Sequence, residues 1–220
     1  MNNDLMSADQ SRSGVSRRRV MVGGAIAGLA GTLGFSAVTK RVAQASSQGS
    51  DAANDAEILN GALFYEHQAI WAYSAAAGGL SDTDVGKAVL AIALANQADH
   101  MVHRDLLSQV ITDLGGEPVM AEESYDLSAY LERGDGGLDS DVNIAKLALA
   151  LETDAAIAYA SEVARLKTPA LITAGATIAS AEAAHATTIR AAFISLGIDI
   201  AYVPAPFVSA ETRDQWVIGV

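Results

Sequence analysis

The sequence predicts an all-α fold from its composition, its hydrophobic periodicity and the spacing of its predicted elements. Half of the 220 residues are hydrophobic but only 5% are aromatic, and the apolar residues are mostly Ala, Leu, Ile and Val. Apolar residues recur at helical spacing in four long segments, and no segment alternates as a β-strand does. Two of the connections are a few residues long, whereas the middle one has about 24 residues. This order predicts a four-helix bundle made of two antiparallel hairpins joined by a long crossover.

The bundle is predicted over residues 54–197, after a short polar linker at 46–53. The first helix is expected from about 54 to 77, where a pair of glycines supplies a C-terminal signal. The second helix is expected to start after Ser81, which is predicted to cap it in a capping box, and to end at Gly115. These two helices form the first predicted hairpin.

The connection between the hairpins, residues 117–140, is irregular and rich in glycine. At about 3.3 Å per extended residue, it can cross the full length of a bundle. A short helical turn is predicted within it, at 125–132. A simple up-and-down bundle would not need so long a link, so the crossover favours the topology with two separate hairpins.

The second hairpin is predicted to begin with a helix from about 141 to 167. Thr168 and Pro169 read as the N-cap and first residue of the next helix, because proline fits the first helical turn. That helix is expected to end at Leu196, before a glycine. The last residues, 198–220, are predicted to form an extended arm that packs across the bundle.

Residues 1–45 are predicted to be a signal peptide. The segment 16–21, Ser-Arg-Arg-Arg-Val-Met, resembles the twin-arginine export motif, and a weakly hydrophobic, glycine-rich run follows it. Residues 43–45, Ala-Gln-Ala, match an A-x-A cleavage site. These features predict export by the twin-arginine route to the periplasm or another extracytoplasmic compartment. The alternative is an uncleaved signal that serves as a membrane anchor.

Charge and cysteine content exclude several classes of protein. The net charge is −12, and cleavage after Ala45 would make the mature chain more acidic. Such a field repels nucleic acid and anionic lipid and attracts cations. The chain has no cysteine, which rules out thiolate metal sites and disulfides. We therefore expect no nucleic-acid partner, and contact with a membrane only through an uncleaved signal.

The two predicted hairpins repeat each other. The pattern E-x-x-A-x-x-A-Y runs from Glu66 to Tyr73 and again from Glu152 to Tyr159. In each hairpin a histidine also stands eleven residues before a Leu-Gly pair. The repetition indicates a duplicated helical hairpin, whose equivalent residues would meet near a pseudo-two-fold axis.

Each long helix also places ionisable side chains inside its apolar stripe. Such groups are costly to bury unless something compensates them. Ionisable side chains interrupt the apolar stripes of four separate helices. This indicates that one bound metal cluster offsets the cost of burying all of them. The candidate ligands are Glu66, His100, His103, Glu152, Glu182 and His185.

This set resembles the ligand pattern of the ferritin-like dimetal carboxylate superfamily, over about residues 54–197. That pattern is a Glu from each of two helices and Glu-x-x-His from each of the other two. Glu66 and Glu152 match the single glutamates, and Glu182 begins the one complete Glu-x-x-His. More narrowly, the chain is similar to twin-arginine-exported bacterial ferritin-like proteins.

One position departs from the superfamily pattern, because His100 stands where the other Glu-x-x-His has its glutamate. Two divalent ions would then face three carboxylates, where the superfamily pattern provides four. The smaller negative charge predicts a higher reduction potential for the bound metals. Asp99 is rotated by about 100° around the helix and does not substitute for the missing carboxylate. His67 points away from the stripe of Glu66 and is read as a surface or supporting residue.

The resemblance implies two metal ions, iron in preference to manganese, and redox chemistry on O₂ or peroxide. Ferroxidase, peroxidase and manganese-type catalase activities remain open. Tyr73 and Tyr159 are candidate electron or proton donors beside the metals. The alternatives are a non-catalytic metal-binding or envelope stress protein and a metal-free interaction bundle. A storage cage is not expected, and a homodimer stays open.

Overall fold

The structure is a computed structural model, and it describes residues 49–219. The predicted export motif, the cleavage site and Val220 lie outside the described residues. Helices account for most of this part of the chain, and no β-strand occurs in it, which confirms the all-α prediction. The helices are α1 (Gly49–Ala77), α2 (Asp84–Asp113), α3 (Ser128–Arg133), α4 (Asp141–Val163), α5 (Pro169–Ser195) and α6 (Arg213–Trp216), with a 3₁₀ turn at Ala210–Thr212.

The four long helices form two closely packed pairs, α1 with α2 and α4 with α5. The turn within each pair is short, and residues 114–140 connect the pairs. Gly115 and Gly197 follow the ends of α2 and α5 with φ angles of 82° and 91°, so both hairpins use the left-handed glycine that the sequence predicts. Within residues 49–219, no helix is both long enough and apolar enough to span a membrane.

Side-chain caps fix where α2 and α4 begin. Thr83 Oγ1 accepts a hydrogen bond from Gly86 N–H at 3.1 Å, and Ser140 Oγ accepts one from Asn143 N–H at 3.2 Å. The prediction that Ser81 caps α2 is wrong, because its hydroxyl instead donates to Asp141 Oδ2 at 2.5 Å. Ser81 thus joins the starts of the two helices.

The ends of α1 and α4 differ from the sequence prediction. The helix α1 starts at Gly49, so part of the predicted linker is helical, and Ala52 and Ala56 continue its buried face. The helix α4 ends at Val163 rather than near 167, because the chain turns there and buries Leu166. The helix α5 starts at Pro169 with Thr168 as its N-cap, as predicted.

The core of the bundle is divided into two apolar clusters by a polar centre. The first cluster contains Leu63 on α1 and Leu107 on α2, and the second contains Val89 on α2 and Leu149 on α4. Along each long helix, the ionisable candidates fall between residues of these two clusters. Apolar layers therefore close the polar centre at both ends of the bundle.

The crossover lies against α1 through aromatic contacts. The ring of Tyr125 is buried, and its centroid lies 5.4 Å from that of Phe64 and 5.8 Å from that of Trp71. The Phe64–Tyr125 pair is edge-to-face, and such pairs stabilise by about 0.5–1.5 kcal/mol beyond the burial of their area. The predicted helical turn in the crossover is α3, which starts at Ser128 rather than at 125.

The C-terminal arm packs on the second hairpin, but it is only partly extended. It contains a 3₁₀ turn and the single helical turn α6. The buried Arg190 on α5 donates to the carbonyl of Ala201 at 2.9 Å and also to that of Trp216. Trp216 is itself buried, and its indole N–H donates to Phe207 O at 2.8 Å. The arm therefore belongs to the folded domain.

Candidate metal centre

All six candidate ligands converge at the middle of the bundle. Glu66 comes from α1, His100 and His103 from α2, Glu152 from α4, and Glu182 and His185 from α5. Glu66, His100 and Glu152 are at most 2% exposed, and Glu182 is fully buried. The helical spacing that predicted these residues places them on inward faces, and the packing of the two hairpins brings the faces together.

His100 occupies the centre of the group. Its Nδ1 lies 2.8 Å from Glu66 Oε2, and its Nε2 lies 3.3 Å from Glu152 Oε1. The same Nε2 is 3.8 Å from Glu182 Oε2. A single imidazole thus faces one carboxylate from each of three helices, at the position where the superfamily pattern has a fourth carboxylate.

Glu182 lies between the other two imidazoles. Its Oε1 is 3.0 Å from His103 Nδ1, and its Oε2 is 3.2 Å from His185 Nδ1. The His103–Glu182 pair lies at ion-pair distance, but neither of these two atoms forms a hydrogen bond within the described residues. Two buried polar atoms that face each other without a hydrogen bond are costly, and a shared cation would satisfy both.

Two tyrosines link the hairpins in a symmetric way. Tyr73 on α1 donates its hydroxyl to Glu152 Oε1 on α4, and Tyr159 on α4 donates to Glu66 Oε1 on α1. In each pair the tyrosine comes from the end of one repeat and the glutamate from the start of the other. The helices α1 and α4 are therefore antiparallel, and the duplicated motif is arranged about a pseudo-two-fold axis.

The buried charges shift the pKa values of the acidic groups in different directions. Burial opposes ionisation of Glu66, but its contacts with His100 and His103 lower its pKa to about 2. Burial also opposes ionisation of Glu152, yet the charge of His100 and its hydrogen bond hold the pKa well below its usual value. The pKa of Glu182 is raised, because burial outweighs its contacts with His103 and His185.

The imidazoles are held in the protonated form by these carboxylates. Burial lowers the pKa of His103, but contacts with Glu182 and Glu66 raise it to about 9. The pKa of His185 rises to about 10 against the same effect of burial, through Glu152 and Glu182. Without a metal, protonated histidines therefore balance the buried carboxylates. A divalent cation would replace those protons.

The ligand atoms fall into two overlapping groups of the size that a metal ion requires. One group contains Glu66, His103 and the shared pair His100 and Glu182, with all ligand atoms within 4.8 Å of one another. The other group combines the same pair with Glu152 and His185. Carboxylate oxygens and imidazole nitrogens are both common ligands of divalent metal ions in proteins. The residues present therefore fit a metal site, and Glu182 and His100 belong to both groups.

Two further residues complete the surroundings: Asn96, which the sequence did not single out, and Asp99, which was considered only as a substitute for the missing carboxylate. Asn96, buried on α2, donates to the hydroxyl of Tyr73 at 3.0 Å and to Glu152 Oε1 at 3.1 Å. Asp99 does not replace the missing carboxylate, but its Oδ2 lies 3.1 Å from His185 Nε2. Asn96 stands one helical turn before His100 on the same face, and this spacing could have identified it from the sequence. The contact of Asp99 depends on the packing of α2 against α5.

The remaining histidine lies outside the centre. His67 is half-buried, and its Nε2 lies 3.2 Å from the carbonyl of Val119 in the crossover. This agrees with its interpretation as a residue that points away from the stripe of Glu66. His67 therefore serves as an internal control for the buried histidines.

A helical bundle with a buried group of glutamates and histidines from four helices defines the class of this protein. A family model described as a ferritin-like domain matches residues 54–195. The chain belongs to the ferritin-like domain family. No curated protein and no solved structure shows significant similarity to the chain.

Proposed function

We propose that this protein binds two metal ions, iron in preference to manganese, and uses them in redox chemistry on O₂ or peroxide. The observation that supports the proposal is the pair of unsatisfied buried atoms, His103 Nδ1 and Glu182 Oε1, 3.0 Å apart at the centre of the bundle. A purely structural polar network would be expected to satisfy such atoms. A cation between them gives both a partner.

The ligands would be divided between the hairpins. Glu66 and His103 would hold one ion, and Glu152 and His185 the other, with Glu182 and His100 available to both. When bound, the ions would supply the electrons that reduce the oxidant. The apolar clusters would close the centre at both ends of the bundle.

In this proposal, Tyr73 and Tyr159 would hold protons beside the centre. Each hydroxyl donates to a carboxylate oxygen of a proposed ligand. Burial raises the pKa of both tyrosines well above the usual value, and the neighbouring Glu152 and Glu66 add to the effect. Both phenols therefore stay protonated at neutral pH and orient the carboxylates toward the centre.

Elemental analysis of the protein purified from its native host tests metal binding. We expect near-stoichiometric metal in the wild type and its loss in a Glu66→Ala, His185→Ala double variant. The matched control is a Glu57→Ala, His67→Ala variant, which removes the same residue types outside the centre and should keep its metal. Absence of metal from the wild type would contradict the proposal.

Activity assays then separate a redox enzyme from the alternatives. Oxidation of Fe²⁺ and consumption of peroxide by the loaded protein, lost in the double variant, would support catalysis. Bound metal without either activity would favour a non-catalytic metal-binding protein. A metal-free interaction bundle is the second candidate, since three glutamates and three protonated histidines already balance one another in charge.

We also propose that the protein is exported by the twin-arginine route. The proposal depends on the sequence motif at 16–21 and the A-x-A site at 43–45. Fractionation of native cells should place the wild-type protein outside the cytoplasm, with its N-terminus at Ser46. Replacement of Arg17 and Arg18 by lysine should retain it in the cytoplasm. Export of that variant at the normal level would contradict the proposal.

A further inference from the structure

A cavity of about 320 Å³ lies between α1 and α4, beside the proposed metal centre. Its inner wall includes Glu66, His100 and Glu152, and its outer part includes Tyr65, which is 52% exposed. The cavity forms because α1 packs closely along α2, and α4 along α5, whereas α1 and α4 are less closely packed against each other. It thus leads from the surface to the carboxylates of the centre.

Four alanines are among the residues that line the cavity. Ala69 and Ala155 occupy the same position in the two copies of E-x-x-A-x-x-A-Y, three residues after the glutamate. Ala62 and Ala158 extend this lining along the two helices. Any larger apolar side chain at these positions would project into the space, so the repeated motif itself keeps the cavity open.

The cavity is larger than the proposed oxidants need. A water molecule has a share of about 30 Å³ in the liquid, and O₂ and peroxide are of similar size. Pockets for small organic ligands have volumes of about 300–1,000 Å³. The volume and the apolar wall therefore fit an organic molecule of about the size of a substituted benzene.

The charges around the cavity select against anions. No lysine or arginine is among the described residues that line it, and its carboxylates include Asp154 and Glu162. Asp154 is engaged by Arg213 at 2.6 Å. Glu162 forms no hydrogen bond or ion pair within residues 49–219, and burial raises its pKa. Glu162 is thus the carboxylate available to a cationic group on a ligand.

We propose that this cavity binds a neutral or cationic small organic molecule, with its apolar part against the alanines and any ammonium group near Glu162. Binding of the ligand does not require the metals, because the cavity is formed by the protein itself. Only a reaction of the bound ligand would depend on the proposed metal centre. Metal binding and ligand binding can therefore be tested separately.

Titration of the full chain with three matched probes tests the proposal. Binding is measured by saturation-transfer and protein-observed NMR. The probes are benzylamine, benzyl alcohol and benzoate, which share a ring and differ in charge. We expect benzylamine to bind with a Kd of the order of 1 mM, as ligands of this size do. Benzyl alcohol should bind more weakly, by about three-fold, and benzoate should not bind detectably.

Two variants fill the cavity, Ala158→Leu and, separately, Ala155→Leu. Each should weaken benzylamine binding by at least about ten-fold, because the added side chain occupies the space of the ring. Ala160→Leu makes the same change on the exposed side of α4 and should bind as the wild type does. Glu162→Gln should remove the preference for benzylamine over benzyl alcohol and leave the alcohol unaffected.

Several results would overturn the proposal. Equal binding of benzoate and benzylamine would do so, as would unchanged binding in whichever cavity-filled variants remain folded by circular dichroism. A change of oligomeric state on filling the cavity, without a change in ligand binding, would assign the cavity to a contact between copies. Metal content is measured on the same samples. Metal without probe binding contradicts only this inference, and probe binding without metal contradicts only the proposed function.

Discussion

Tyr159, on the second hairpin, donates its hydroxyl to Glu66 on the first. The equivalent pair, Tyr73 and Glu152, makes the same contact in the opposite direction. The two hydrogen bonds connect the hairpins across the centre of the bundle and are buried. They also differ in one respect, because Asn96 donates to Glu152 Oε1 as well, at 3.1 Å.

This difference predicts unequal effects of removing the two hydroxyls. Tyr159→Phe should lower the free energy of unfolding of the metal-free protein by about 1–2 kcal/mol, since Glu66 Oε1 loses a buried donor. Tyr73→Phe should lower the free energy of unfolding by less, because Asn96 still donates a hydrogen bond to Glu152. Urea unfolding followed by circular dichroism measures both values, with Tyr65→Phe at the surface as control. A larger loss in Tyr73→Phe would contradict the asymmetry.

His100→Glu supplies the fourth carboxylate of the superfamily pattern. We expect the metal-free variant to be destabilised by about 3–5 kcal/mol, because a buried charge pair is replaced by repelling carboxylates. The metal-loaded variant should have a lower midpoint potential than the wild type, since the added negative charge favours the oxidised ions. Thermal unfolding and a redox titration measure the two effects.

The control for this variant is His67→Glu, which makes the same substitution outside the centre. It should change neither the midpoint potential nor the dependence of stability on metal. A potential of His100→Glu equal to or above that of the wild type would exclude an electrostatic role for His100.

Asp55 on α1 fixes the position of the α4–α5 turn. Its fully buried carboxylate accepts from the N–H groups of Lys167 at 2.8 Å and Thr168 at 2.9 Å. Asp55→Ala leaves both donors without this partner and should cost about 1–3 kcal/mol. Chemical unfolding checks this value. Glu57→Ala, an exposed change on the same helix, should be nearly neutral, and a similar loss in both variants would contradict the role of Asp55.

Asp135 predicts a dependence of stability on pH. Burial alone would raise its pKa, but hydrogen bonds with Arg213 and Arg133 lower it below the ordinary value of 3.8. The folded state therefore favours the ionised form, so this contribution is fully present above the ordinary pKa and is lost as pH falls through the folded-state pKa. Asp135→Asn should cost about 1–2 kcal/mol at pH 7 and progressively less as pH falls below the ordinary pKa of 3.8.

Urea unfolding of the wild type and Asp135→Asn across this pH range measures the difference. Asp214→Asn serves as control, because Asp214 is 99% exposed and only 4.0 Å from the same arginine. If the free energies of unfolding of wild type and Asp135→Asn differ by the same amount at low pH, the charge of Asp135 does not contribute to stability.

Much of the fold could be predicted because it depends on local chemistry. Glycines after α2 and α5, Pro169 at the start of α5 and apolar periodicity determine helix ends and buried faces residue by residue. The predictions that were wrong concern contacts between distant segments. Ser81 bonds to Asp141 instead of capping α2, and α4 ends early where the following chain meets Asp55. Local patterns carry no information about such partners.

The sequence by itself determined which six side chains face the interior, because helical spacing sets the direction of each Cβ. It also determined, through the repeat, that Glu66 and Glu152 are equivalent. Only the tertiary structure decided which atoms meet. It placed His100 between three carboxylates, left His103 Nδ1 and Glu182 Oε1 without hydrogen bonds, and opened the cavity between α1 and α4. These features depend on the separation and rotation of packed helices, which side-chain packing across the whole bundle sets.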